Sequence, residues 1–255
     1  MKTVRTVLEM VMIVLLLGTP CFGVELPQSF PTADGFSMHL PKNWKPIPKD
    51  VLDKYSRAIA KMAPKAEKQV YDYGFQRADA PKWFAYPYIL VQVKRSGRIP
   101  EEQLESLKRI EQAMDDSFAK ATDSLSSFTS NASIGEPLYD PASNTLWTQV
   151  AIDVNEIGTV RGIIGAILTN EGFVQVACYA RNADFKEYFP TFEAVVKNTE
   201  IRKELNYTSS NEQAGNDSAE GKRGAISMET IALLFAGALL VIIGWRFSRK
   251  KSGDS

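Results

Sequence analysis

With 255 residues and 30 Lys plus Arg set against 30 Asp plus Glu, the chain has no net charge, which excludes the basic footprint of a nucleic-acid-binding protein. One histidine and two cysteines cannot supply the three or four nitrogen and sulfur ligands of the familiar zinc signatures, and the sequence holds no EF-hand loop, P-loop or dinucleotide-binding glycine turn, so no metal or other cofactor is expected. Less a leader and the C-terminal tail, the chain leaves roughly 175 residues for a folded body, which suits one domain with one core.

At the N-terminus, Lys2 and Arg5 precede the apolar run 10–18 and the stretch Thr19-Pro-Cys-Phe-Gly23. A charged region, an apolar region and small residues in that order make residues 1–23 a secretory signal peptide, expected to be cleaved after Gly23. The run is too short to span a bilayer comfortably. The mature chain would then hold one thiol, Cys178, and no internal disulfide.

The body, residues 24–201, is expected to be an α+β domain. Phe36, Met38 and Leu40 alternate with Ser37 and His39, the pattern of a half-buried strand. After Pro46 and Pro48, residues 50–62 repeat Val51, Leu52, Tyr55, Ile59 and Met62 at helical spacing. Two strands follow at 69–77 and 86–94, the first with Tyr71, Tyr73 and Phe75 on one side, the second with Ile89, Val91 and Val93 opposed to Tyr88, Leu90 and Gln92. Pro100 followed by two acids opens the longest helix, with a stripe through Leu104, Leu107, Met114, Phe118, Ala121 and Leu125 broken by Glu111. Beyond a polar break at 126–131, strands are expected at 133–139, 146–154, 159–168 and 173–180. The last of these places Val174, Val176, Cys178 and Ala180 on one face. Links this short favour antiparallel pairing. Asp184 and Glu187 have the spacing of a helix N-cap with a reciprocal acid, opening a helix with Phe185, Phe189, Phe192, Val195 and Val196 against the sheet and Pro190 inside it.

From 202 to 225 the chain turns polar and reads as a flexible linker. Residues 226–245 then carry one charge, Glu229 in the first turn, over about 20 residues, the length of a transmembrane helix. Residues 246–255 form a basic tail with Arg246, Arg249, Lys250 and Lys251, against Lys222 and Arg223 on the other flank. The expected topology is a single-pass protein of the cytoplasmic (inner) membrane, its N-terminal domain outside and its C-terminus cytoplasmic. Ala232 and Ala236 are spaced for a weak transmembrane helix dimer. A span followed by basic residues is also the layout of a cleaved C-terminal sorting signal, although no LPxTG-like motif precedes it.

The inventory of chemical groups is short. His39 lies on the polar side of its strand, where a surface imidazole is the simplest reading and a general base the sharper one. Cys178 shares an apolar face and lacks a CxxC partner, so a core thiol is set against a reactive one. An envelope enzyme, either a hydrolase or a thiol enzyme, would have to use one of these two. The stretch Pro81-Lys-Trp-Phe-Ala-Tyr-Pro-Tyr88 concentrates Trp83, Phe84, Tyr86 and Tyr88 and is the candidate contact surface, since such aromatics anchor binding hot spots. Asn-x-Ser/Thr triplets stand at Asn131, Asn206 and Asn216.

The opening Gly35-Phe-Ser-Met-His-Leu-Pro-Lys-Asn-Trp44, the helix after it, the antiparallel sheet and the aromatic helix at 185–196 resemble the PsbP-like family of extrinsic thylakoid proteins and their bacterial relatives. The resemblance covers about residues 30 to 200. It implies an α-β-α sandwich, the fold shared with a Ran-binding nuclear-import factor, and a binding or assembly module without catalysis. The expectation is therefore a membrane-anchored, extracytoplasmic module that holds a protein or envelope partner.

Overall fold

The structure, a computed structural model, describes residues 24–62, 69–104, 107–124 and 129–208. In chain order the elements are β1 (Gln28–Pro31), β2 (Phe36–Leu40), β3 (Trp44–Pro46), α1 (Lys49–Met62), β4 (Tyr73–Arg77), β5 (Tyr88–Lys94), α2 (Glu101–Leu104) and α3 (Leu107–Ser124). They continue with β6 (Thr129–Ile134), β7 (Leu138–Asp140), β8 (Thr145–Val154), β9 (Gly158–Thr169), β10 (Gly172–Arg181), α4 (Asn182–Lys197), β11 (Glu200–Ile201) and a 3₁₀ turn at Lys203–Leu205. Eight strands form one sheet in the order β3-β4-β5-β10-β9-β8-β6, with β7 also paired to β8. Strands β1, β2 and β11 make a second, three-stranded sheet. The strand pairs named here are antiparallel, so the fold is α+β and mainly antiparallel, in line with the short links between strands.

The pleat explains how one sheet supports two cores. On one face, Tyr88, Leu90, Leu146, Val150, Ile152, Ile164, Leu168, Phe173 and Tyr179 pack with Leu52, Tyr55 and Ile59 of α1, Leu104 of α2, and Met114 and Phe118 of α3. On the other, Ile89, Val91, Ile163, Ile167, Val174, Val176 and Cys178 meet Phe185, Phe192, Val195 and Val196 of α4, together with Phe36, Met38 and Leu40 of β2. Residues of alternating number in each strand thus enter different cores, as period-2 geometry requires. Gly165 sits where α4 crosses β9, and a Cβ there would collide with Val196. Its bareness lets the helix approach the sheet closely.

Several boundaries differ from those the sequence implies. Strand β4 starts at Tyr73, because the Asp72 N–H donates to Val91 O at 2.9 Å while its carboxylate accepts the Val93 N–H at 2.7 Å. The alternation breaks at that bend, and Tyr71 enters the α1 core while Tyr73 and Phe75 belong to the other side. The single strand expected at 133–139 is two, β6 and β7, and β6 begins within the stretch read as a polar break. Helix α4 starts at Asn182 directly from β10, with Arg181 at the N-cap and no side-chain cap. Asp184 therefore lies in the first turn, where it meets the helix dipole instead of capping it.

Polar composition places the start of the linker at 202, yet the packing of the described residues runs on to Thr208. The Arg202 N–H donates to Gly35 O at 2.8 Å, and the Asn170 N–H to Leu205 O at 3.0 Å. The Tyr207 hydroxyl donates to Ile99 O at 2.6 Å, beneath an Arg98 guanidinium 4.7 Å from its ring. Hydrogen bonds and a cation–π contact hold this strap, and none of them shows in a hydrophobicity pattern. Among the described residues no helix is long and apolar enough to cross a membrane. The leader 1–23, the remainder of the linker, the expected span 226–245 and the tail 246–255 lie outside the described residues.

Candidate functional site

The aromatic stretch chosen from the sequence does not form one surface. Trp83 is 36% exposed, with Lys45 Nζ 5.2 Å from its ring centroid. Phe84 is 7% exposed and Tyr88 1%, both inside the α1 core, and Tyr86 is half-buried. Buried Gln76 on β4 turns the loop inward. Its side-chain oxygen accepts the Phe84 N–H at 2.8 Å, and its amide nitrogen donates to Lys82 O at 3.0 Å. Phe84 is thereby held at φ 59°, in the left-handed region that a bulky side chain seldom adopts. Its ring stacks on Tyr55 at 4.0 Å between centroids and meets Tyr88 edge-on at 5.9 Å. Tyr86 stacks on Tyr88 at 5.1 Å. The run is a core seam with Trp83 at its outer end.

The two candidate reactive groups stand outside that seam, in different surroundings. His39 is half-buried on β2, its Nε2 3.3 Å from Glu200 Oε1 on the neighbouring β11. Cys178 is fully buried in the α4 core, and burial pushes its thiol well above the ordinary range. A thiolate is disfavoured there, so Cys178 packs as a small hydrophobe. No group of three or more His, Cys, Asp or Glu among the described residues could hold a metal ion.

What the structure does bring together is a groove on the α4 side of the sheet. One row of cross-strand partners runs Val91, Val176, Gly165, Trp147, Leu138 from β5 to β7. Helix α4 lies over β9 and β10, so the inner part of the row is covered. Trp147 is half-buried and Leu138 is 64% exposed, past the helix edge. The space beside them, about 530 Å³, is walled on the helix side by Phe189, Glu193 and Lys197, one turn apart, and on the sheet side by Ile163, Gln149 and Thr148. Gly135, Glu136 and Asp140 close its outer rim. The Thr148 hydroxyl donates to Gly135 O at 2.7 Å and the Gly135 N–H to Gln149 O at 2.8 Å, so the rim is pinned to β8.

The charges of this groove are acidic on balance. The Ser143 hydroxyl, 2.8 Å from the Asp140 carboxylate, and the Ala142 N–H hold Asp140 below the usual carboxylate range. Lys197 lies 2.7 Å from Glu193 Oε1, and that hydrogen bond raises its ammonium above the ordinary lysine value. Glu136 is exposed at the other end. Sequence reasoning placed Leu138 and Trp147 on strands and Phe189 on a helix without joining them. The available signal was Trp147, a large aromatic whose face of β8 otherwise carries Thr145, Gln149, Ala151 and Asp153.

A second hollow of about 520 Å³ lies between β1 and α1, lined by Phe30, Pro46, Ile47, Leu52, Tyr73 and Phe75 among others. Asp34 at its edge accepts from the Tyr73 hydroxyl and from Arg95, both at 2.6 Å, and these bonds tie the small sheet to the large one. Its apolar wall is largely core: Ile47, Leu52 and Phe75 are each under 5% exposed.

No family model matches the chain, and no curated protein matches it. Among solved structures it is similar to the solution structure of cyanobacterial PsbP (CyanoP) from Synechocystis, with 12% identity and a TM-score of 0.42 over 73% of this chain and 99% of that one. It is also similar to LpqN, involved in cell envelope biogenesis of Mycobacterium tuberculosis, with 12% identity and a TM-score of 0.34 over 69% of this chain and 91% of that one.

Proposed function

We propose that this chain is a membrane-anchored binding or assembly module without catalysis. In this reading residues 1–23 export it, the domain, whose packing runs on to Thr208, faces the exterior of the cytoplasmic membrane, the rest of the polar stretch up to 225 tethers it and 226–245 hold it as a single span above a cytoplasmic tail. The observation that supports a binding role is the uncovered end of the sheet row, where Leu138 stands 64% exposed beside Trp147 and Phe189 in an open groove. Pairing of β7 with β8 holds Leu138 at the surface beside Trp147, and apolar side chains kept exposed next to one another are what a binding partner can cover. His39 stands beside Glu200 at 3.3 Å and Cys178 is fully buried in the α4 core, and this reading gives neither a catalytic role.

The test has two parts. A photo-crosslinking side chain at position 138 in intact cells should give an adduct with one protein or envelope component, and the same group at Asp53, on α1, should not. Equal labelling from both positions would end the binding role of this groove. Protease added to spheroplasts should degrade the domain and spare the tail; protection of residues 30–200 contradicts the topology.

A further inference from the structure

The groove's occupant can be narrowed by its charge and by where its polar groups stand. Small-ligand sites combine an enclosed apolar cavity with a few polar groups aimed inward. Here the groove is open and is lined by the apolar residues Leu138, Trp147, Ile163 and Phe189 together with the charged Glu136, Asp140, Glu193 and Lys197. Exposed apolar contacts bordered by charged side chains on an open surface suit a protein interface better than an enclosed ligand site. Three of those charges are carboxylates and one is an ammonium, already paired with Glu193 at 2.7 Å; with Arg161, which donates to Gln149 of the groove wall at 3.2 Å, the balance is still acidic by one charge. A second copy of the chain in twofold contact would set these acidic rims against each other, and an anionic lipid surface would meet the same repulsion. A segment carrying lysine or arginine beside apolar residues would complement both parts.

We infer that the groove takes a basic, amphipathic segment of a partner protein. Its apolar side chains cover Leu138 and Trp147, and its cations face Glu136, Asp140 and Glu193. The inference rests on the groove being the binding surface proposed above.

Full-length protein in zwitterionic nanodiscs, titrated with two labelled peptides of about 14 residues that share a leucine face and carry either lysine or glutamate on the other, tests it by fluorescence anisotropy. The lysine peptide should bind about tenfold more tightly, and the gap should shrink between about 50 and about 500 mM salt. Leu138→Asp should abolish binding of the lysine peptide, and Glu136→Lys with Asp140→Lys should reverse the preference. Equal affinities, binding of neither peptide, or an unaltered Leu138→Asp variant would overturn the inference. So would concentration-dependent dimers that Leu138→Asp dissolves, since a second copy would then be the occupant. A position-138 crosslink that persists when the peptide test fails would keep the binding surface and reject only the partner's chemistry.

Discussion

The two faces of the eight-stranded sheet are covered to different extents, and β8 records the difference within one strand. Its even-numbered residues Leu146, Val150, Ile152 and Val154 are buried on the side of α1, α2 and α3. On the α4 side Thr145 at the start of the strand is buried, but Trp147, Ala151 and Asp153 are half-buried and Gln149 is exposed. Helix α4 leaves β10 without a loop and packs over β9 and β10, so its 16 residues do not reach across β8. A sheet face stays open where the covering helix ends, and an apolar residue placed there is available for binding. The cores also differ in chemistry. The α4 side is mostly aliphatic and phenylalanine-rich, whereas the α1 side collects Tyr55, Tyr71, Tyr88 and Tyr179, whose hydroxyls require partners once buried.

The contrast can be broken most strongly at the centre of the α4 side. Phe192 is 0% exposed and lies against Trp44, Phe185 and Tyr188, so Phe192→Ala should cost about 3–5 kcal/mol in urea unfolding. A loss under about 1 kcal/mol would mean that α4 is not a covering element. Gly165→Val should cost about 1–3 kcal/mol by prising α4 from β9, because the added carbons meet Val196. On the α1 side, Gln76→Ala leaves the Phe84 N–H and Lys82 carbonyl without their present partner and should cost about 1–3 kcal/mol. Trp83 should then become more accessible to an aqueous fluorescence quencher, as the loop is no longer drawn inward.

A smaller effect is expected where the two sheets join. Hydrogen bonds from Tyr73 and then Arg95 hold the Asp34 carboxyl below its ordinary value. A carboxyl lowered in the folded state stabilises at pH values above its unfolded pKa of about 3.9, and that stability is lost as pH falls through the folded value. Asp34→Asn should therefore be less stable than the parent at neutral pH, with the difference closing under acid; a gap unchanged down to about pH 2 would show that the carboxylate's charge is irrelevant to the joint. Least of all, Leu138→Asp should alter stability by no more than about 0.5 kcal/mol, since the side chain is 64% exposed. A larger loss in unfolding would move Leu138 from the binding surface into the core.

Much of the fold was legible from residue patterns. Alternation in 36–40, 86–94 and 173–180 assigned the correct faces, and the spacing of Leu52, Tyr55 and Ile59, or of Phe185, Phe192 and Val196, located the buried stripes of two helices. The site was less legible. Among the aromatics at 83–88, composition could not separate Trp83, which remains at the surface, from Phe84, which a glutamine several residues earlier in the chain draws inward.

Sequence alone determined which residues within each regular element share a side, because the periods of strand and helix are properties of the local backbone. Which sides are covered, and how far, was decided only by tertiary structure. The course of α4 over β9 and β10, the strap that carries the domain to Thr208 and the uncovered row at Trp147 and Leu138 each depend on distant segments meeting. A hydrophobic pattern records that a side chain favours burial; only the assembled layers determine whether something within the chain buries it.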